Sequence, residues 1–235
     1  MALYIIISLV VATALCMIAG RRRPWVAQIG FAAIITGSFI TAPKIAPIVG
    51  GVFVSASIGL YSASFLLADF LVEVYSRKHA LRAVYMGLIS ELLVLFAVLM
   101  TLGVPSAPFW KDQNAWVTTF GVAPRIMVAS LSAFLAAQFL DVMVFARLKK
   151  RHKRRLLFVR NNLSTIASQT VDSIVFYPIA FLGTPGVDLF SLIAVACVVK
   201  YAIAVLETPF LYLSRMWAER QSANRGETSV LMKDS

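Results

Sequence analysis

"RNNLSTIASQTVDSIVFYPIAFLG", residues 160–183, decides how the rest of the chain is read. It is long enough to cross a bilayer as a helix, which takes about 20 residues. Its second half is apolar and aromatic, while its first half carries Asn161, Asn162, Ser164, Thr165, Ser168, Gln169 and then Asp172. Thr165, Ser168, Gln169, Asp172 and Phe176 fall at i, i+3, i+4, i+7 and i+11, so they share one helix face. A membrane helix turns such a stripe toward protein or a water-filled cavity, because lipid offers no hydrogen-bond partner. The segment therefore predicts an all-α polytopic membrane protein built around a polar interior.

Composition supports this frame. The chain has 235 residues, 60% hydrophobic and 14% charged, with a mean hydropathy of +0.82. A soluble domain would be about a quarter charged. Seven apolar segments can be marked, at about 2–20, 24–42, 50–76, 82–104, 119–146, 160–183 and 187–214. Between them lie "RRR" (21–23), "PKIAPIV" (43–49), "RKHAL" (77–81), "PFWKDQNAW" (108–116), "RLKKRHKRR" (147–155) and "TPG" (184–186), read as connections. Residues 1–214 form a single transmembrane domain on this reading, with a polar cytoplasmic tail over 215–235.

The net charge of +11 could suggest nucleic acid, but its distribution argues for topology instead. Alternating the seven segments puts eighteen Lys and Arg residues on one side, while Lys44, Lys111 and Arg125 lie on the other. Lys and Arg accumulate on the cytoplasmic side of membrane proteins. The N-terminus is thus expected outside, the C-terminus in the cytoplasm, and nucleic acid is not expected as a partner. The first segment has no positive n-region and its basic cluster follows the apolar run, so it reads as a retained span rather than a signal peptide. Cys16 and Cys197 lie in apolar runs and read as small packing residues. "VEVYSR" (72–77) and "VMVFAR" (142–147) echo one another weakly, as internal repeats of transporters do.

Ionisable groups within spans cost about 2.5–3.5 kcal/mol each on insertion scales and are candidate functional groups. Here they are Asp69, Glu73, Glu91, Asp141, Asp172, Lys200 and Glu207. Glu73 lies one turn from Arg77 and is expected to pair with it. Ser62, Phe65, Asp69 and Glu73 share a face, as do Phe134, Gln138, Asp141 and Phe145. Ala129, Ala133 and Ala137 form a small-residue ridge suited to close packing within a chain or in a homodimer. Asp172 and Lys200 lie at similar depth near the midplane, where a pair keeps both tolerable. Pro178 and Pro209 interrupt the last two helices close to these polar groups.

Enzyme chemistry finds little footing. Both histidines, His79 and His152, fall in basic connections, and there is no G-x-S-x-G, H-E-x-x-H or P-loop. No cofactor or metal set is indicated. A transporter of a small polar solute fits better than a membrane enzyme using carboxylates alone.

Several stretches together resemble a known family. "LLADFLVEVYSRKHALRAV" (66–84), "AQFLDVMVFARLKK" (137–150), residues 160–183 and "VVKYAIAVLETP" (198–209) are similar to the YhhQ-type (VUT) queuosine precursor transporters. The resemblance covers roughly residues 37–214. It implies a six-helix core, here about 24–214, with an additional N-terminal helix at 2–20. It also implies residence in a bacterial inner membrane and uptake of 7-cyano-7-deazaguanine or 7-aminomethyl-7-deazaguanine. A guanine edge offers adjacent N–H donors that one carboxylate can accept in bidentate fashion. Asp172 or Asp141 is the candidate for that role; Lys200, Gln138, Gln169 and Asn162 are candidates for the remaining polar contacts, and Phe134, Phe176 or Tyr177 for stacking. Asp69, Glu73 and Glu91 are candidates for gating or proton coupling. A second reading is a substrate-capture subunit of a vitamin-type system that needs separate ATPase subunits.

Overall fold

The computed structural model describes the chain except for residues 1, 21–22, 43, 48–52, 122, 153–155, 184–187 and 225–235. The elements are α1 (Ala2–Gly20), α2 (Pro24–Thr41), β1 (Ile45–Pro47), β2 (Phe53–Ser55), α3 (Ile58–Phe70), α4 (Arg77–Gly103), α5 (Gln113–Gly121), α6 (Ala123–His152), α7 (Leu157–Phe181) and α8 (Leu189–Asn224). A π-helical turn, Leu71–Tyr75, continues α3. The protein is a polytopic all-α membrane protein, as expected. Five helical stretches are long and apolar enough to cross a bilayer: Pro24–Thr41, Ile58–Tyr75, Arg77–Gly103, Arg125–Arg151 and Leu189–Leu213. α1 is apolar throughout its 19 residues, and the 25-residue α7 has the length but carries the polar stripe.

Four boundaries differ from expectation. The third apolar segment, marked from about residue 50, is strand over Phe53–Ser55 in its first described residues. Ile45, Ala46 and Pro47 pair antiparallel with Ser55, Val54 and Phe53, and helix starts only at Ile58. A short β-branched apolar run suits strand and buried helix equally, so hydropathy alone cannot separate them. "RKHAL" is not a loop: Ser76 alone is extended, and α4 starts at Arg77. Likewise α6 continues through the basic run to His152, and α8 continues ten residues past 214 to Asn224. Lys and Arg are good helix formers, so basic runs prolong helices as readily as they end them. The "TPG" turn and the last eleven residues lie outside the described residues.

The chain places α3 at the centre. Nearly all of Ile58–Tyr75 is buried, and α3 packs against α1, α2, α8 and α6. α2 and α4 pack together and are tied by Thr36–Ser90 hydroxyls at 2.5 Å and by Gln28 Nε2 donating to the His79 carbonyl at 3.0 Å. A Cβ on Gly87 would stand 2.9 Å from Phe31 Cε1 and 3.3 Å from Phe134 Cζ, so the glycine lets α4 approach the aromatic core. α1 is held at its end by Tyr75 Oη donating to the Gly20 carbonyl at 2.5 Å. Both cysteines are free; Cys16 touches the space beside Gly30 and Cys197 is buried, which agrees with their reading as packing residues. Ala129, Ala133 and Ala137 are buried within the protomer, so the small-residue ridge serves intrachain packing. The lipid-facing surface comes from side chains such as Leu92, Leu93 and Phe96 of α4 and Val198, Val205 and Leu206 of α8.

Side chains satisfy the backbone at two helix ends on the side away from the basic connections. Pro178 interrupts the end of α7, where Arg125 donates to the carbonyls of Ile179 (2.6 Å) and Leu182 (2.5 Å). A cation there satisfies unpaired carbonyls and complements the helix dipole. α8 is capped by Asp188, whose carboxylate accepts from the Phe190 and Ser191 amides and, at 2.6 Å, from the Ser191 hydroxyl.

Candidate functional site

The polar face of α7 points inward, as its periodicity predicts. Arg160, Asn161, Asn162, Ser164, Thr165, Ser168, Gln169, Asp172 and Ser173 are all buried. Opposite them α3, α6 and α8 supply polar groups that fall into three layers. On α8, Lys200, Glu207 and Arg215 mark the layers. Their spacing at 1.5 Å per residue sets the layers about 10–12 Å apart.

The layer at the basic end centres on Glu73. Arg160 Nη2 lies 3.1 Å from both of its oxygens, and Arg215 Nη1 lies 3.5 Å from Oε1. The Arg160 guanidinium also stands 5.5 Å from the Phe145 ring centroid. Lys149 Nζ donates to the carbonyls of Val72 (2.8 Å) and Glu73 (2.9 Å) within the π turn. A π turn shifts the helical ladder and leaves carbonyls open to other donors. The expected Glu73–Arg77 pair is absent; Glu73 pairs with Arg160 and Arg215. The physical reason is local: Ser76, at φ −166° and ψ 164°, ends the helix, so Arg77 is not one turn along the same face. Beside this layer Thr208 Oγ1 accepts from Asn161 Nδ2 (3.2 Å) and Asn162 Nδ2 (2.9 Å).

The middle layer is acidic. Asp69 of α3 and Asp141 of α6 face each other, with both Asp69 oxygens and Asp141 Oδ2 buried and unpartnered. Ser168 Oγ donates to Asp141 Oδ1 at 3.0 Å, and Glu207 of α8 faces both acids with its Oε1 unpartnered. One turn from Asp141, Gln138 Nε2 donates to Ser64 Oγ at 2.7 Å while its Oε1 has no donor.

The far layer holds the expected Asp172–Lys200 pair. Lys200 Nζ donates to Asp172 Oδ2 and, at 3.2 Å, to Ser173 Oγ. Tyr61 Oη donates to Asp172 Oδ1, and Lys200 Nζ lies 5.8 Å from the Tyr61 ring centroid. Glu91 of α4 lies within electrostatic range of Asp172 and Tyr61, hydrogen-bonded to neither, with its Oε2 buried and unpartnered. Tyr177, half-buried, also faces Asp172 and stacks on Phe181 at 6.0 Å, with Phe176 edge-on to it at 5.2 Å.

The candidate residues therefore separate. Asp172, Lys200, Glu91 and Tyr177 come together, as do Asp69 and Asp141 with Gln138 a turn away. Asn162 sits near the basic end. Phe134 belongs to the hydrophobic core, 6.4 Å from Phe31, and offers no open face. Gln169 is buried with its Oε1 unpartnered. Sequence reasoning missed Tyr61, whose default reading is packing or interface anchoring. It also counted Arg160 and Arg215 only among the basic residues of one side, and it gave Glu207 no partner.

One imbalance stands out. Among the described residues six carboxyl groups are buried: Asp69, Glu73, Glu91, Asp141, Asp172 and Glu207. Among the described residues only Glu73 and Asp172 form ion pairs. The other unpartnered buried side-chain atoms are mostly acceptors as well: the amide oxygens of Gln138, Asn161, Asn162 and Gln169. Buried acceptors without donors are costly, at about 1–3 kcal/mol each, unless something donor-rich fills them.

Comparison with known proteins places this geometry. A family profile described as "Putative vitamin uptake transporter" matches residues 55–214, from the end of β2 through the membrane portion of α8. The chain belongs to the vitamin uptake transporter family. All three polar layers fall inside the matched region, apart from Arg215 at its edge, whereas α1 and α2 precede it. The chain is 32% identical over 158 residues to a "Probable queuosine precursor transporter" of Bacillus subtilis (strain 168), covering 66% of this chain and 69% of that protein. It is 26% identical over 149 residues to the "Queuosine precursor transporter" of Escherichia coli (strain K12), covering 63% and 65%. No solved structure matches. This vitamin uptake transporter family member is a membrane transporter and not an enzyme, and its substrate is a small molecule.

Proposed function

We propose that the protein takes up queuosine precursors, 7-cyano-7-deazaguanine or 7-aminomethyl-7-deazaguanine, across a bacterial cytoplasmic membrane, with its basic end and C-terminus in the cytoplasm. The relatives' names motivate the substrate, and the eighteen-to-three distribution of Lys and Arg motivates the orientation. The observation that carries the reading is the acceptor-rich interior. A 7-deazaguanine presents adjacent N–H donors on its pyrimidine edge and another on its pyrrole ring. Asp172 receives the paired donors, Lys200 meets the ring carbonyl, and the free oxygens of Gln138 and Gln169 take remaining donors. The rings of Tyr177 and Phe176 flank the same layer and supply stacking. Asp141, engaged by Ser168 and Asp69, suits proton handling better than base recognition. The Asp69–Asp141 pair is the proton-coupling group on this reading, and Glu73, locked by two arginines, closes the cytoplasmic end.

Direct binding tests the substrate. The purified protein should bind deazaguanines in preference to guanine and should not bind unrelated vitamins. Asp172→Asn should abolish that binding while leaving the amount of folded protein in the membrane unchanged. Reconstituted alone in liposomes, the protein should take up the deazaguanine; uptake only after addition of ATPase subunits would instead establish the capture-subunit reading, which nothing in the relatives' names favours.

A further inference from the structure

We propose that Ser64 is a specificity-determining positioning residue: it holds the Gln138 amide so that the carbonyl oxygen, and not the N–H groups, is left free for a ligand, and the site takes the pyrrole N–H of a 7-deazaguanine and rejects an acceptor in its place. The inference rests on the proposed substrate and adds to it the polarity of one contact.

A glutamine amide has nearly the same shape at both ends, so its hydrogen-bond partners decide which way it points. Here one partner is enough. Ser64 has a single hydroxyl proton, and its Oγ donates to the Tyr61 carbonyl at 2.6 Å, one turn back on α3. What Ser64 presents to α6 is therefore a lone pair. Gln138 Nε2 donates to it at 2.7 Å, and Gln138 Oε1 is buried without a partner. In the turned amide Oε1 would stand against that lone pair, and the bond would be lost. Ser64 and Gln138 are both fully buried, so water does not compensate the loss. A lost buried hydrogen bond biases the two orientations by about tenfold.

The placement of Gln138 selects the ligand atom. Gln169 lies three residues before Asp172 on the inward face of α7, so its free oxygen suits the pyrimidine edge that Asp172 receives. Asn161 and Asn162 sit near the basic end, where both donate to Thr208 Oγ1. Gln138, on α6, is the free amide oxygen that remains for the donor on the other ring. A pyrrole N–H meeting Oε1 completes a chain from ligand to Gln138, from Gln138 to Ser64 and from Ser64 to the Tyr61 carbonyl. That chain ends on a backbone carbonyl, which has no proton to give, so every donor in it points the same way. A ring oxygen in place of the pyrrole N–H would face Oε1 acceptor against acceptor.

The test compares 7-aminomethyl-7-deazaguanine with its furo analogue, in which a ring oxygen replaces the pyrrole N–H. Binding of each to the full chain purified in detergent is read by calorimetry. Wild-type protein should prefer the pyrrole form at least about tenfold. Ser64→Ala frees the amide to turn. It should bind the furo analogue more tightly than the wild type does and narrow the preference to about threefold or less. Loss of packing does not produce such a gain of binding. Gln138→Leu should remove the preference, and Ser64→Ala added to it should leave the ratio unchanged. Should Ser64→Ala fail to fold, Ser64→Cys, whose sulfur is a weak acceptor, decides by the same comparison. Equal weakening of both ligands in the Ser64 variant reveals packing alone and overturns the proposal. So does a wild type that binds both forms alike, or a Ser64→Ala effect that persists beside Gln138→Leu. Wild-type protein that binds no deazaguanine overturns the substrate reading and the role of Ser64 with it. Binding lost in Asp172→Asn while Ser64→Ala keeps the wild-type preference overturns the role of Ser64 alone.

Discussion

Arg160 is the side chain whose removal most directly tests the layered interior. Its guanidinium is fully buried, with Nη2 3.1 Å from both oxygens of a Glu73 carboxylate that is itself only 4% exposed. Breaking a buried pair by removing one partner costs about 3–5 kcal/mol, because the remaining charge is left uncompensated. Arg215, 3.5 Å from the same carboxylate and 15% exposed, stays behind in Arg160→Met and holds part of that charge. The expected loss is therefore at the low end, about 2–3 kcal/mol. Glu73→Gln removes the carboxylate that Arg160 and Arg215 share and should be similarly destabilising. The double variant buries a neutral Gln–Met contact. Its loss should fall short of the sum of the single losses by at least about 2 kcal/mol. Reversible unfolding of the four proteins in mixed micelles, followed by circular dichroism, measures the coupling. Additivity within about 0.5 kcal/mol would refute the reasoning, since independent residues behave that way.

Three further outcomes are expected. Asp69→Asn retains a group that can donate to Asp141, so binding should persist while proton-gradient-driven uptake stops; liposome uptake with and without an imposed gradient checks this, and unchanged gradient dependence would remove the pair from coupling. Gly87→Ala sets a methyl 2.9 Å from Phe31 Cε1 and should destabilise by about 1–3 kcal/mol in the same unfolding assay, with a smaller-than-additive loss when combined with Phe31→Leu. Asp188 is exposed, and hydrogen bonds from Ser191 hold its carboxyl below the ordinary value. The cap is complete above the unfolded-state pKa of about 3.9 and is lost as pH falls through the lower folded value, so hydrogen exchange at Phe190 and Ser191 should accelerate there, and Asp188→Ala should show fast exchange at every pH.

The parts of this architecture legible in the sequence are those where membrane physics leaves few choices. A polar stripe at helical spacing has to face inward, and α7 buries every member of it from Arg160 to Asp172 apart from the turns between. Two opposite charges at matching depth have to meet, and Asp172 meets Lys200. What the sequence did not disclose lies where chemistry is degenerate. The run from Ile45 to Ser55 is apolar whether strand or helix. The π turn at Leu71–Tyr75 leaves no compositional mark, yet with the break at Ser76 it decides that Glu73 turns to Arg160 rather than Arg77. Tyr61 looks like any aromatic residue in a span, and only the fold brings its hydroxyl to a carboxylate 111 positions away.

The hydropathy of the helices follows from the same division of labour. α4 and α8 meet lipid along much of their length and can be strongly apolar, whereas α7 is too polar to qualify as a span on hydropathy. Its polarity is tolerable because α6 and α8 pack along it and α3 carries the opposing groups. Even so, the enclosure leaves four buried carboxyl groups, Asp69, Glu91, Asp141 and Glu207, outside any ion pair among the described residues. Stability alone would favour replacing them with apolar side chains of similar volume, since even paired buried charges rarely stabilise relative to such replacements. The layers also differ in how tightly they are filled. Glu73 is satisfied by two arginines and its backbone by Lys149, Asp141 is held on one oxygen by Ser168 while the Asp69 oxygens are unpartnered, and the layer around Asp172 keeps an empty acceptor in Glu91. A column that runs from a doubly ion-paired carboxylate to buried acceptors without donors is the arrangement expected if a donor-rich solute enters at the far end and its passage toward the basic end is tied to opening the Glu73 cluster.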